Sequence, residues 1–248
     1  MKNSIRFGAV ALTGALLLSL GLHPLDTKSV GRINFILGDQ SDIKIRRLEK
    51  PTWQYARLFS PVFDGDRFIT ESESRCEIQL AARGAIRIGE NADFTLKHDP
   101  VTKQGSSILQ TGRLWASVRG LFSKQRFQIR TPSAVCSVRG TIYRIDADSS
   151  TKVMVYDGEV DVGPASFADD APVTPRQQPV QIQQPHEIPG PQEVPGPFEV
   201  TLEQWVRIVA GYQIEVRADG KYHQTKIDQQ ADEQDEWVRW NKQRDQSQ

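Results

Sequence analysis

Apolar and polar positions alternate in short runs through residues 30–163. Ile33-Asn34-Phe35 and Ile43-Lys44-Ile45-Arg46 alternate one by one, as does Arg75-Cys76-Glu77-Ile78-Gln79-Leu80, which puts Cys76, Ile78 and Leu80 on one face. Asp64-Gly65-Asp66 is a turn signal ahead of Arg67-Phe68-Ile69-Thr70, and Ala85-Ile86-Arg87-Ile88-Gly89 follows a second turn. Phe94 and Leu96, then Leu114, Ala116 and Val118, then Phe127 and Ile129 continue the period of two. Val153 and Val155 lead into the turn Tyr156-Asp157-Gly158-Glu159, and Val160 and Val162 close the series. Short strands with turn signals at regular spacing predict a mainly β fold, a roll, sandwich or short solenoid.

The pattern changes after residue 163. Nine of the 14 prolines fall in residues 164–197, and Glu187-Ile188-Pro189-Gly190-Pro191 is echoed by Glu193-Val194-Pro195-Gly196-Pro197. Proline has no amide donor and a fixed φ, so residues 164–200 read as an extended spacer, with a proline-rich docking strip as the alternative. Order is predicted again over 201–248, as a small α+β region. Thr201-Leu202-Glu203-Gln204-Trp205 suggests a helix cap and first turn. Gln213-Ile214-Glu215-Val216, the turn at Asp219-Gly220 and Lys221-Tyr222-His223 suggest a hairpin. Residues 228–244 suggest one short helix, with Asp235 and Arg239 paired four apart. Trp205, Trp237 and Trp240 all fall in this region; aromatic residues at helical spacing usually pack, and here they would staple the tail onto the β domain or a partner.

The interruption at Arg139-Gly140-Thr141, inside Ala134 to Asp146, needs its own explanation. Glycine permits a kink or close strand approach, arginine can donate to several carbonyls or an acid, and threonine can bond local backbone. A bend that passes one strand to the next layer is the structural reading, and a ligand site the functional one.

Composition adds location. Thirty-one basic residues balance 31 acidic ones, which argues against a dedicated nucleic-acid binder. Lys2 and Arg6 precede 16 uncharged residues, 7–22, and Asp26 and Lys28 follow. This is the layout of a signal peptide with cleavage after Gly21, or of an N-terminal anchor over residues 1–22; the run is shorter than the roughly 20 residues that span a bilayer comfortably. The chain is expected in the periplasm or cell envelope, soluble or tethered to the inner membrane by that one segment. In an oxidising compartment Cys76 and Cys136 could pair, closing a loop of about 60 residues for roughly 4 kcal/mol. Two buried free thiols are the alternative.

Catalytic signals are weak. His23, His98, His186 and His223 make no metal spacing with one another or with the cysteines, and no nucleophile elbow, zinc-helix or phosphate-loop motif occurs. No catalytic residue, cofactor or metal is therefore expected.

The order of motifs resembles the FecR domain family of exported bacterial domains. The likeness runs over residues 30–163. It rests on Val30-Gly31, Leu37-Gly38-Asp39, Gly65-Asp66-Arg67-Phe68-Ile69-Thr70, Cys76 to Leu80 with Gly84 to Gly89, Gln110-Thr111-Gly112-Arg113-Leu114, Phe127 to Pro132, Val138-Arg139-Gly140-Thr141 and Val155 to Val160. Trp240-Asn241-Lys242-Gln243-Arg244-Asp245 also looks like the end of some multi-domain members. The family's best-known members are periplasmic sensors that relay a signal from an outer-membrane transporter to a sigma factor. Only six residues precede the apolar segment, so no cytoplasmic domain that holds a sigma factor is expected. The resemblance implies a non-catalytic envelope domain that binds or scaffolds a protein partner, with signalling as its setting. A cell-wall or glycan-binding module using Trp205, Trp237 and Trp240, and a membrane-tethered regulator of transmembrane signalling, are the alternatives.

Overall fold

The computed structural model describes residues 29–39, 41–81, 84–98, 105–118, 127–138, 140–167 and 200–247. The chain is mostly β, as its alternation predicts. The strands are Gly31–Leu37 (β1), Ile43–Arg46 (β2), Trp53–Tyr55 (β3), Pro61–Val62 (β4), Arg67–Thr70 (β5), Arg75–Leu80 (β6), Gly84–Ile88 (β7), Asp93–Thr95 (β8) and Gly105–Ser117 (β9). Phe127–Arg130 (β10), Ala134–Val138 (β11), Ile142–Ala147 (β12), Ser150–Asp157 (β13) and Glu159–Pro164 (β14) complete the first run. Beyond residue 199 come Val200–Thr201 (β15), Val206–Val209 (β16), Tyr212–Arg217 (β17), Lys221–Lys226 (β18) and two helices, Gln229–Gln234 (α1) and Glu236–Gln246 (α2).

These strands form two layers. The first runs β4-β1-β6-β7-β9-β12-β13-β17-β18-β15 and the second β3-β2-β5-β8-β9-β10-β11-β14-β16. The long strand β9 belongs to both: Gly105 to Ile108 pairs in parallel with β10, and Gly112 to Ser117 pairs antiparallel with β12. The crossing point is Gly112, whose φ is +95°. A Cβ there would lie 2.5 Å from Ala92 Cα, so both the backbone angle and the close approach require glycine.

Inward positions of both layers fill one core. Ile33, Cys76, Ile78, Ile86, Ile88, Leu114, Tyr143, Ile145, Val153 and Val155 come from the first layer; Ile43, Phe68, Phe94, Leu109, Ile129, Cys136, Val160 and Val162 come from the second. Full burial of one such side chain is worth about 1.5–3 kcal/mol before entropy is counted, so the period-two pattern and the two-layer packing enforce each other.

The interruption at Gly140 marks a corner between layers. β11 lies in the second layer and β12 in the first, and Gly140 between them has a φ of +61°. Thr141 is buried, and its hydroxyl donates to Glu159 O at 2.8 Å. The next corner, from β13 to β14, packs directly on it. A Cβ on Gly158 (φ +79°) would lie 3.0 Å from Gly140 O and 3.1 Å from Thr141 Oγ1. The third corner, from β16 to β17, stacks on the second, with Ala210 N donating to Gly158 O at 3.1 Å and Gly211 N to Val155 O at 2.8 Å. Arg139 lies outside the described residues, as do residues 1–28, which include Gly21.

Residues 200–226 join both layers: β17 pairs with β13, and β16 with β14. The hairpin expected around Asp219-Gly220 is β17 and β18. The helix start expected at Thr201 is not found. Val200 and Thr201 pair with β18, and Leu202 is buried, because β-branched residues beside a free sheet edge gain a ladder that an isolated first helical turn would not. The single helix expected over 228–244 is two. Asp235 has extended geometry (φ −71°, ψ 114°), ends α1 and accepts from Trp237 N as the cap of α2, so its carboxylate serves the backbone and not Arg239.

Candidate functional site

The outward face of the first layer carries the side chains that alternate with the core: Phe35 on β1, Glu77 on β6, Arg87 on β7, Arg113 and Trp115 on β9, Arg144 on β12 and Tyr156 on β13. A face of this composition would ordinarily be solvated. Here α2 lies across it, and Glu77, Arg87 and Trp115 are completely buried. Trp115, Ile142, Trp237 and Val238 make a second apolar cluster, separate from the main core, with Tyr156 and Trp240 at its margin.

The ionic partners cross between sheet and helix. Arg87 Nε donates to Glu77 at 2.6 Å, and Arg87 Nη1 to Asp245 at 2.7 Å. Arg244 grips Glu77 with two hydrogen bonds, 2.9 and 3.0 Å, and Asn34 Nδ2 adds a third at 2.9 Å. Trp115 Nε1 donates to the other Asp245 oxygen at 2.9 Å. Further along, Arg113 and Arg144 both meet Asp235, Arg75 meets Glu236, and the Tyr156 hydroxyl donates to Asp232 at 2.9 Å. Acids of the helical segment thus face arginines of the sheet, with one reversed pair at Glu77.

These contacts set the ionisation of the site. Burial pushes the Glu77 carboxyl up, but hydrogen bonds from Arg244, Arg87 and Asn34 outweigh it and hold the group at about 2. Asp235 is treated likewise: burial raises it, and Arg113 and Arg144 bring it below its ordinary value. The Arg75 hydrogen bond lowers Glu236. Burial first and Asp232 second push the Tyr156 phenol upward. The carboxylate shifts keep the ion pairs charged near neutral pH and the Tyr156 shift keeps its phenol neutral, which suits a docking contact and leaves none of these groups poised to exchange protons there.

The tryptophans singled out by sequence divide. Trp237 is buried and stacks on Trp240 with ring centroids 5.4 Å apart. Trp240 is half-buried among Phe35, Arg75 and Arg244. Trp205 is on the other layer, 3.0 Å from the position a Gly163 Cβ would take and 6.0 Å from the Phe167 ring. Cys76 and Cys136 are buried free thiols on β6 and β11, and burial pushes each up to about 12. The cysteine side chains belong to the main core, and the Gly140 corner leads into Ile142 of the helix-covered cluster.

The pattern of alternation concealed this face, since Glu77 and Arg87 occupy positions that read as solvated. Its sequence signal was the tail tryptophans; the arginines at outward positions of β6, β7, β9 and β12 meet Asp232, Asp235, Glu236 and Asp245 of the tail only in the folded chain. Among the described residues no group of histidine, cysteine and acidic side chains could hold a metal ion. No helix among them is long and apolar enough to cross a membrane.

A family model described as FecR protein matches residues 66–161, which covers β5 to β13 and with them the Gly140 corner and, apart from β1, the sheet side of the helix-covered face. The chain is also similar to two crystal structures described as a putative anti-sigma factor from Parabacteroides distasonis. Both are 15% identical with a TM-score of 0.45, over 66% and 65% of this chain and 61% and 59% of those. The chain spans about three fifths of the length of those structures. Among curated proteins no relative matches.

Proposed function

From the premise that this chain carries a FecR domain over residues 66–161, we propose that it is an exported, non-catalytic module that binds a protein partner in the cell envelope and works in signalling. The observation that carries the reading is the outward face of the first layer. It recognises a helix through paired charges around a tryptophan cluster, which is how a protein surface is recognised, and among the described residues no nucleophile with a base and an orienting group stands beside it. Export rests on Lys2, Arg6 and the apolar run over residues 7–22. The residues divide into an export segment or anchor at 1–22, the FecR-type β domain at 30–163, a proline-rich connector at 164–200 and a tail at 201–248 that completes both layers.

Trp237 and Trp240 act in this reading as the staples that hold α2, and Trp205 as a cover for Gly163. A glycan platform needs open ring faces, and Trp237 has none to offer. Cys76 and Cys136 serve as core thiols, and Gly140-Thr141 as the corner between layers.

The test is crosslinking in intact cells of a C-terminally tagged chain, followed by mass spectrometry and sequencing of the mature N-terminus. One specifically enriched envelope protein, with a mature chain that starts after Gly21 or retains the apolar run, is expected. Recovery of wall fragments alone would move the function to glycan binding.

A further inference from the structure

The outermost strand of the second layer, β3, is built differently from the other edges. It pairs with β2 alone, and among the described residues nothing pairs with its other side. Ala56 N donates to Ile43 O at 2.8 Å. Hydrogen-bonding residues of an antiparallel pair alternate, so Gln54 also faces β2, and the main-chain groups of Trp53 and Tyr55 face away from the sheet. All three strand residues are exposed, and Tyr55, Leu58 and Phe59 are 56%, 49% and 64% accessible. Phe59 is held there at a φ of +64°, a conformation unusual for a bulky residue.

Cations gather around this edge. Arg46 lies over the Trp53 ring at 5.1 Å, and neither it, Arg57 nor Lys97 has a carboxylate partner among the described residues. Arg47 and Arg67 are already committed to Asp66 and Asp93. One hollow, of about 590 Å3, adjoins the strand at Gln54 and Tyr55 beside Arg57, and a second, of about 480 Å3, lies inward of it, beside Arg46, Arg67 and Thr95. A strand added to an edge sends successive side chains to opposite faces, so one set of an added strand's side chains would share the sheet face of Trp53, Tyr55 and Arg46.

We propose that the β3 edge is a docking site for an extended acidic segment of a partner protein, added as a further strand of the second layer. The outward amides and carbonyls of Trp53 and Tyr55 supply the ladder, the exposed aromatic residues supply apolar contact, and Arg46 and Arg57 select for carboxylates. A second copy of this chain is a poor occupant, because edge-to-edge pairing would bring Arg46 and Arg57 against themselves. The inference rests on the reading of this chain as a protein-binding module and names the chemistry of its partner.

The test uses the full chain and a fluorescein-labelled eight-residue peptide of alternating glutamate and valine, read by anisotropy and by amide exchange. Saturable binding, with slowed exchange at the Tyr55 amide, is expected. The lysine–valine counterpart and the double variant Arg46→Glu/Arg57→Glu should each bind at least about tenfold more weakly. Tyr55→Pro removes an outward donor and leaves the β2 ladder intact, so it should lose binding while keeping the wild-type circular dichroism and melting midpoint. Absence of saturable binding, equal binding by the double variant, or protection elsewhere than β3 overturns the inference. If wild type and the double variant capture the same envelope protein equally in cells, this edge is not the site and the protein-binding reading stands. If wild type captures none, that reading itself falls.

Discussion

Glu77 shows how a polar position on a strand becomes a structural centre. It is fully buried and takes hydrogen bonds from Arg87, Arg244 and Asn34. Removing one partner of a buried charge pair leaves the other uncompensated, so Glu77→Ala should cost about 3–5 kcal/mol in a denaturant titration. The same group gives a pH signature. Its folded value, about 2, lies below the ordinary 4.5, so its contribution of about 3 kcal/mol is present above pH 4.5 and lost as pH falls towards 2. Unfolding free energies between pH 6 and pH 2.5 should fall more steeply for wild type than for Glu77→Gln. Cys76 and Cys136 make the opposite case, since burial holds both protonated with values near 12. Neither should react with a thiol reagent at pH 8 until the chain unfolds, when two should titrate; electrophoretic mobility should be the same with and without reductant.

At the scale of elements, the local signals were legible and the pairings were not. Cys76, Ile78 and Leu80 on one face of β6 follow from alternation alone, as do the turns at Gly158 and Gly220. The partners of β9 do not, because it pairs with β10 in one layer and β12 in the other, and only the Gly112 crossing makes both compatible. The break between α1 and α2 was hidden for a related reason. Asp235 scores as an ordinary helix residue, yet two sheet arginines and the Trp237 amide all need its carboxylate. The docking of α2 was foreshadowed by the tryptophans, but its ionic partners were not, since no local pattern links residue 87 to residue 245. Trp237 anchors that docking: Trp237→Ala should cost about 3–5 kcal/mol and expose the Trp115 ring, seen as a red-shifted tryptophan emission. Arg239, exposed on the far side of α2, should be replaceable by alanine within about 0.5 kcal/mol.

At the scale of the molecule, the tail is part of the β fold and not an appendage. β16 and β17 extend both layers, and α2 seals the outward face of the first. A chain ended after residue 199 should therefore melt earlier and expose apolar surface to a dye such as ANS, although the matched FecR segment, residues 66–161, is retained whole. With that face closed by the chain's own helix, the proposed docking edge at β3 remains an exposed aromatic and cationic surface among the described residues. The most direct measurement is photocrosslinking in living cells, with the photoreactive residue placed in turn at Tyr55 on β3 and at Arg239 on α2. An adduct with one envelope protein from position 55, and little from position 239, is the predicted result. No protein adduct from either position, in cells where the chain is exported and folded, would contradict the account of this chain as a protein-binding module.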